Sequence, residues 1–241
     1  QAFLGTGLTS LVIPDSVTYL GDGAFANAPL KTLDIGSGLK DINSFGVEAF
    51  LNVCKTLESV TIDSAQGLGK GGNFYNLSYV DGSGNTIQVR GYQGLSLGRL
   101  YEDNSESPNS YSCPKLKTIV FESNVESMGE DAFEAYEDFS SLTSVSLGSK
   151  ITRISGHAFR GATSLTSVVL PDSLTEIGSL AFSGTGLTSL VIPDSVTSIG
   201  SQAFYNIPIT SLVIPDSVTS IGSQAFLGTG LTSLVIPDSV T

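Results

Sequence analysis

Internal repetition constrains this chain more than any other feature. Residues 1–18, QAFLGTGLTSLVIPDSVT, recur unchanged at 224–241. The phrase LTSLVI and its variants begin nine times, at intervals of 22, 27, 59, 26, 23, 22, 22 and 22 residues. Such a period is typical of a solenoid, in which one coil alone cannot bury its apolar face. We therefore predict a single solenoid over residues 1–241. The coils start at Leu8, Leu30, Leu57, Leu116, Leu142, Leu165, Leu187, Ile209 and Leu231.

One regular coil, LTSLVIPDSVTSIGSQAF at 187–204, shows what each position is expected to do. The pattern L-x-x-L-x-I predicts a short strand with its leucines facing inward, because β-branched residues favour an extended backbone. Proline, aspartate and serine then predict a turn in which Asp and Ser bond nearby backbone groups. Val196 and Ile199 form a second inward pair, and Gly200 permits a sharp bend.

An Ala-Phe pair completes each coil, and we predict a short helical turn there. Stacked coils would bring these phenylalanines together as a continuous column inside the solenoid. With strands about 4.8 Å apart, nine coils would form a rod roughly 40 Å long. The pairs are Ala24/Phe25, Ala49/Phe50, Ala132/Phe133, Ala158/Phe159, Ala181/Phe182, Ala203/Phe204 and Ala225/Phe226.

The full motif, L-x-x-L-x-I-P-x-x-V-x-x-I-G-x-x-A-F, resembles the BspA-like class of bacterial-type leucine-rich repeats. The resemblance implies a β-rich α/β solenoid: a curved, right-handed superhelix with short parallel strands on its concave face and coils of about 22–23 residues. It also implies a secreted or surface-anchored protein that adheres to extracellular matrix, host cells or other microbes without catalysis. The family often has Cys after the Ala-Phe pair, whereas the regular coils here have Thr185 and Thr229.

Charge and composition exclude several classes of partner. The net charge is −12, and all eleven Lys and Arg lie between Lys31 and Arg160. Nucleic acid is not an expected partner, because phosphate neutralisation needs clustered basic residues. No apolar run is long enough to insert into a membrane. The acidic run from Glu122 to Asp138 is interpreted as a solvated face, with a cation site or a patch for a basic partner as the alternative.

Catalytic and metal-binding signatures are missing from the sequence. His157 is the only histidine, so multi-histidine metal sites are excluded and few catalytic triads remain. We therefore predict a protein that is not an enzyme and has no cofactor or metal. One aspartate per coil forms a column for which we favour a turn role over calcium binding; its members are Asp172, Asp194, Asp216 and Asp238.

Residues 63–115 break the period and form an irregular insertion within one repeat. FYNLSYV and TIQVRGY predict two strands of a β-hairpin joined by DGSGN. Tyrosine-rich loops suit binding, because tyrosine gives a large contact area at low entropic cost. The alternative is that these tyrosines only pack a small core within the insertion. The candidate ligand-binding residues here are Tyr75, Tyr79, Arg90, Tyr92, Arg99, Tyr101 and Tyr111.

A second candidate binding surface lies on the strand face, where Val169, Val191 and Val213 are expected to point outward. They could line a groove for a partner, or they could reflect the ordinary preference of strands for β-branched residues. Cys54 and Cys113 both lie three residues before a coil start, so a disulfide is possible, but two reduced thiols are favoured. Asn76 begins a glycosylation sequon.

These features predict an extracellular or cell-surface module that binds protein or glycan on host cells, extracellular matrix or other microbes. A structural spacer or stalk is the alternative, and binding of a regular lattice such as ice or polysaccharide through threonine columns is a third hypothesis. Because the repeat is cut in mid-coil at both ends and no polar capping coil is present, we expect the native array to continue in both directions.

Overall fold

The computed structural model describes residues 2–39, 49–50, 53, 56–63, 75–80, 86–91, 101–102, 115–123, 125 and 140–241. The first five coils form a parallel sheet with the order β1-β2-β3-β7-β8. Its strands are β1 (Ser10–Ile13), β2 (Thr32–Ile35), β3 (Ser59–Ile62), β7 (Thr118–Phe121) and β8 (Ser144–Ser146). Each strand lies at the predicted L-x-x-L-x-I position, so the structure is a parallel-strand β-solenoid.

The register of this sheet places equivalent positions of successive coils side by side. Leu33 lies opposite Leu11 on one side and Val60 on the other. Strand β3 pairs directly with β7 although 55 residues separate Ile62 from Thr118. The chain therefore returns to the stack after the irregular passage. Along β2 and β3 the side chains alternate between the core and solvent, as the pattern predicts.

Three strands lie within the irregular passage. They are β4 (Tyr75–Val80), β5 (Thr86–Gly91) and β6 (Tyr101–Glu102), in the order β4-β5-β6. β4 and β5 pair antiparallel from Tyr75↔Gly91 to Val80↔Thr86, which agrees with the two strands predicted for a hairpin. The sequence does not predict β6, which pairs antiparallel with β5. The DGSGN connection at 81–85 lies outside the described residues.

The second half of the solenoid pairs on a different face. Strands β9 (Arg153–Ile154), β10 (Glu176–Ile177), β11 (Ser198–Ile199) and β12 (Ser220–Ile221) form a parallel sheet at the second inward pair of each coil. The strands predicted at the L-x-x-L-x-I positions of the coils starting at Leu165, Leu187, Ile209 and Leu231 are absent there. That prediction is therefore wrong for these four coils. The coil starting at Leu142 carries one strand of each sheet, β8 and β9.

Proline gives the physical reason for the change of face. After β2, β3 and β7, the residue that follows the last inward side chain donates its N–H to the preceding coil: Gly36 to Ile13 O (2.9 Å), Asp63 to Ile35 O and Glu122 to Ile62 O (both 2.8 Å). From the coil at Leu165 onward this residue is proline, which has no N–H to donate. The ladder is therefore lost on that face. The prolines are Pro171, Pro193, Pro215 and Pro237.

Glycine closes the ladder on the other face. The Gly178, Gly200 and Gly222 N–H groups donate to the carbonyls of Ile154, Ile177 and Ile199 at 2.7–2.8 Å. A Cβ placed on Gly200 would lie 2.5 Å from Ser179 N, so only glycine allows coils to approach this closely. The predicted bend at this position is thus also a point of close contact between coils.

The Ala-Phe corner is built from hydrogen-bonded turns and not from the short helical turn that the sequence predicts. Gln202 precedes Ala203 with a φ of 56°, in the left-handed region, which interrupts any right-handed helix. Gln202, Phe204 and Asn206 donate their N–H groups to the carbonyls of Ser223, Ala225 and Leu227 at 2.8–2.9 Å. The corner is therefore a second inter-coil ladder.

The predicted column of phenylalanine rings is confirmed in the described coils. Ring centroids lie 5.0 Å apart for Phe3–Phe25 and 5.7 Å for Phe25–Phe50. In the second half the distances are 5.5, 5.7 and 5.6 Å along Phe159, Phe182, Phe204 and Phe226. All of these rings except Phe3 lie within or against one hydrophobic core of inward leucines and isoleucines. The core therefore runs along the stack from coil to coil.

Candidate functional site

A row of exposed valines runs along the second half of the solenoid. Their exposed fractions are 79–83%, whereas their neighbours Leu190 and Ile192 are buried. The outward position predicted for Val169, Val191 and Val213 is therefore confirmed, and their binding role stays a prediction. We define the valine stripe by four residues: Val169, Val191, Val213 and Val235.

A row of carboxylates follows the valine stripe, three residues further along each coil. We define the aspartate column as Asp172, Asp194, Asp216 and Asp238, all exposed. The predicted turn role is wrong for these side chains, because in residues 165–241 none of the four accepts a hydrogen bond or pairs with a cation.

Serine performs that bonding role instead. The hydroxyl of Ser195 donates to the carbonyl of Leu174 at 2.6 Å, and Ser217 donates to Val196 at 2.7 Å. Ser173 and Ser239 make the same bond at 2.7 Å. The turn is closed by the backbone, for example by the Val196 N–H donating to Pro193 O at 3.0 Å. The aspartates are therefore free to meet solvent or a partner.

Electrostatics distinguish this surface from the rest of the chain. Residues 161–241 contain five acidic residues and no lysine, arginine or histidine. The fifth acidic residue, Glu176, forms an ion pair with Arg153 at 3.3 Å. No base from within these coils balances the aspartate column. The sequence alone could have pointed to this acidic surface, because it has no lysine or arginine after Arg160.

The backbone beneath the stripe carries few hydrogen bonds between coils. From Leu187 to Ile192 the one backbone bond to the preceding coil joins Thr188 N to Thr166 O at 3.3 Å. A column of exposed threonines that includes Thr197 and Thr219 lies on the other face. There the side chains bond across coils, because the Thr197 and Thr219 hydroxyls donate to the carbonyls of Thr175 and Thr197 at 3.2 Å.

The candidate residues of the insertion are described in part. Arg90 lies in register with Asn76 of β4 and with Tyr101 of β6, so the backbone brings Arg90 and Tyr101 together. Tyr75 lies opposite Gly91, and Tyr79 lies opposite Ile87. Other candidates lie outside the described residues: Tyr92, Arg99, Tyr111, Cys54 and Cys113. The predictions for them stay predictions.

Across the described ranges, no group of three or more His, Cys, Asp or Glu side chains is placed to hold a metal ion. Within those ranges, no helix has the length and apolar character needed to cross a membrane.

Comparison with known families identifies the repeat. A profile described as the BspA type leucine rich repeat region matches residues 1–84, 104–139 and 134–241, with six copies. The chain belongs to the BspA-type leucine-rich repeat family. No functionally curated protein matches this BspA-type chain.

Solved structures of bacterial leucine-rich repeat proteins are similar to this BspA-type chain. A T. pallidum leucine-rich repeat protein shares 27% identity with a TM-score of 0.48, covering 68% of this chain and 81% of that one. The pneumococcal vaccine antigen PcpA shares 18% identity with a TM-score of 0.41, covering 98% and 62% respectively. A leucine-rich cell surface protein from Faecalibacterium prausnitzii shares 18% identity with a TM-score of 0.34, covering 94% and 78%.

Proposed function

We propose that this BspA-type chain is a non-enzymatic recognition and adhesion module, secreted or held at a cell surface, that binds protein or glycan partners. Proteins of this family are often surface proteins. The proposed partners lie on host cells, in extracellular matrix or on other microbes. The solenoid supplies a rigid frame, and two surfaces supply the contacts: the valine stripe and the 63–115 insertion.

One observation carries the proposal: the second half of the solenoid exposes a row of apolar side chains at the same position of four successive coils. Single exposed apolar residues are ordinary, but contiguous apolar patches with a polar rim are typical of interaction sites. The valine stripe is such a patch, since each of its four valines is at least 79% exposed. Exposing these valines to water is unfavourable, and a partner that covers the stripe would remove their apolar surface from water.

Adhesion assays with matched variants test the proposal. The full chain is compared with a variant lacking residues 68–112 and with the double variant V191S/V213S, on immobilised matrix proteins, glycan arrays and host cells. We expect each change to reduce adhesion at least tenfold. The control is V12S, because Val12 is 65% exposed but lies outside the valine stripe. Unchanged adhesion in both test variants, with circular dichroism showing intact folding, would refute the proposal.

The spacer hypothesis is favoured by a different observation, the uninterrupted ladders between successive coils. At the Ala-Phe corners between His157 and Asn206, backbone N–H groups of each coil donate to carbonyls of the following coil. The second half of the stack is therefore continuously bonded. A spacer requires length and not side-chain identity at the surface. Adding one further copy of 187–208 to the full-length protein should then change its reach at the cell surface, while V191S/V213S should have no effect.

A further inference from the structure

We propose that the valine stripe and the aspartate column together bind a cationic amphipathic α-helix of a partner protein, lying along the stack of coils. This inference rests on the proposed recognition function and names the chemistry of its partner. One side chain of the helix per turn would contact a valine, and lysine or arginine residues beside that row would meet the carboxylates.

The spacing of the coils favours a helix over an extended segment. The ring centroids at the corner of these coils lie 5.5–5.7 Å apart, and neighbouring parallel strands lie about 4.8 Å apart, so we expect the valines to repeat about every 5–6 Å. An α-helix advances 5.4 Å per turn, so its drift over three intervals is at most about 2 Å. An extended strand repeats the same face about every 6.7 Å and drifts by roughly 3–6 Å over the same distance. A helix therefore follows the row of valines more closely than a strand does.

The charge pattern selects a cationic partner. The aspartate column has no base in residues 161–241 to neutralise it. A second copy of the chain would bring two such columns together, and anionic nucleic acid or lipid would be repelled in the same way. Each aspartate lies three residues from a valine, at most about 10 Å along the chain. That reach is comparable to the 10–12 Å diameter of a helix with its side chains. Basic residues on the flank of a seated helix therefore lie above the carboxylates.

The predicted complex is weak and sensitive to salt. Four valines cannot cover the roughly 800 Å² per partner that a standard stable protein interface buries. The serines, threonines and carboxylates beside the valines must supply the remaining contacts. Exposed charge pairs are screened over about 8–10 Å at physiological ionic strength, so affinity should fall as salt rises.

Direct binding of a designed peptide to the full chain tests the assignment. The probe is a fluorescein-labelled, 18-residue helical peptide with leucines at positions i, i+4, i+7 and i+11 and lysines at the positions that follow each leucine. Fluorescence anisotropy should show saturable binding. V191S/V213S should weaken it at least tenfold, D194N/D216N should weaken it at least threefold and reduce its salt dependence, and V12S should leave it unchanged.

Two comparison peptides make the result decisive. One has the same composition with leucine and lysine in strict alternation, which favours a strand, and the other is the same helix with glutamate in place of lysine. Equal or tighter binding of either comparison peptide, no binding of the probe, or binding insensitive to the valine and aspartate substitutions would overturn the proposal. If adhesion still depends on V191S/V213S while the probe does not bind, the helix assignment fails and the recognition function survives.

Discussion

The rings of Phe182 and Phe204 lie 5.7 Å apart between centroids, and their planes differ by 1°. Both side chains are fully buried. They occupy the same position in two neighbouring coils, so the contact is repeated by Phe159 on one side and Phe226 on the other. The column joins coils that make no strand contact at their valine-bearing segments. It is therefore one of the apolar links that join the coils in the second half of the solenoid.

Replacing Phe182 by alanine should be strongly destabilising. Removal of a buried phenylalanine from a core typically costs 3–5 kcal/mol, because the cavity adds to the lost transfer free energy. Guanidinium denaturation followed by circular dichroism measures the change. The control is Phe3→Ala, because Phe3 stacks on Phe25 but is 46% exposed, and there we expect a loss of about 1 kcal/mol. Equal losses in the two variants would contradict a stabilising role for the buried column.

A methyl group at Gly200 should force two coils apart. An added Cβ would lie 2.5 Å from Ser179 N and 2.6 Å from Gly178 C, which are backbone atoms that have no room to move aside. We expect Gly200→Ala to cost about 1–3 kcal/mol, as overpacking does. Gly21 holds the same place in its own coil with nothing within 4 Å. Gly21→Ala should therefore be neutral or stabilising by about 0.4–1 kcal/mol. Thermal denaturation of the two variants gives the comparison.

Proline at position 122 should open the first sheet. The exposed Glu122 donates its N–H to Ile62 O at 2.8 Å, at the position where later coils carry proline. Glu122→Pro removes this donor and leaves the Ile62 carbonyl unpaired, for an expected loss of about 1–2 kcal/mol. Glu122→Ala keeps the N–H and serves as the control. Hydrogen exchange should show faster exchange of the β7 amides in the proline variant alone. Identical exchange in both variants would refute the role of proline in selecting the paired face.

The buried hydroxyl of Thr185 should contribute measurably to stability. It donates to the carbonyl of Phe182 at 2.8 Å, within the corner turn. Thr185→Val keeps the shape but removes the hydroxyl bond, while the Phe182 carbonyl still accepts the Thr185 N–H at 3.1 Å, so the expected cost in urea denaturation is about 1 kcal/mol. Thr6 makes the equivalent bond to Phe3 at 3.0 Å in an exposed setting. Because water can replace the lost bond there, Thr6→Val should cost less than about 0.5 kcal/mol. A larger loss at Thr6 than at Thr185 would contradict this assignment.

Much of the fold could be read from local patterns. The period places Phe182 and Phe204 in one column, and the inward leucines and isoleucines follow from the same repeat. The alternation in 75–80 and 86–91 identifies two strands of the insertion. For the candidate site, the outward valines could be predicted, but the free carboxylates could not. Asp and Ser both favour turns, so the sequence does not show which side chain bonds to the backbone. In the folded chain the Ser195 hydroxyl donates to the carbonyl of Leu174, and the Asp194 carboxylate makes no such bond.

The sequence by itself determined the repeat, the inward and outward side of each residue, and the family, because these depend on periodicity along one chain. Tertiary structure decided which faces of the coils pair. That choice depends on the distances between the backbones of neighbouring coils, which are 22 residues apart in sequence. On one face Pro193 has no N–H to donate, and on the other Gly200 permits close approach. The valine stripe lies on the face that those prolines leave unpaired.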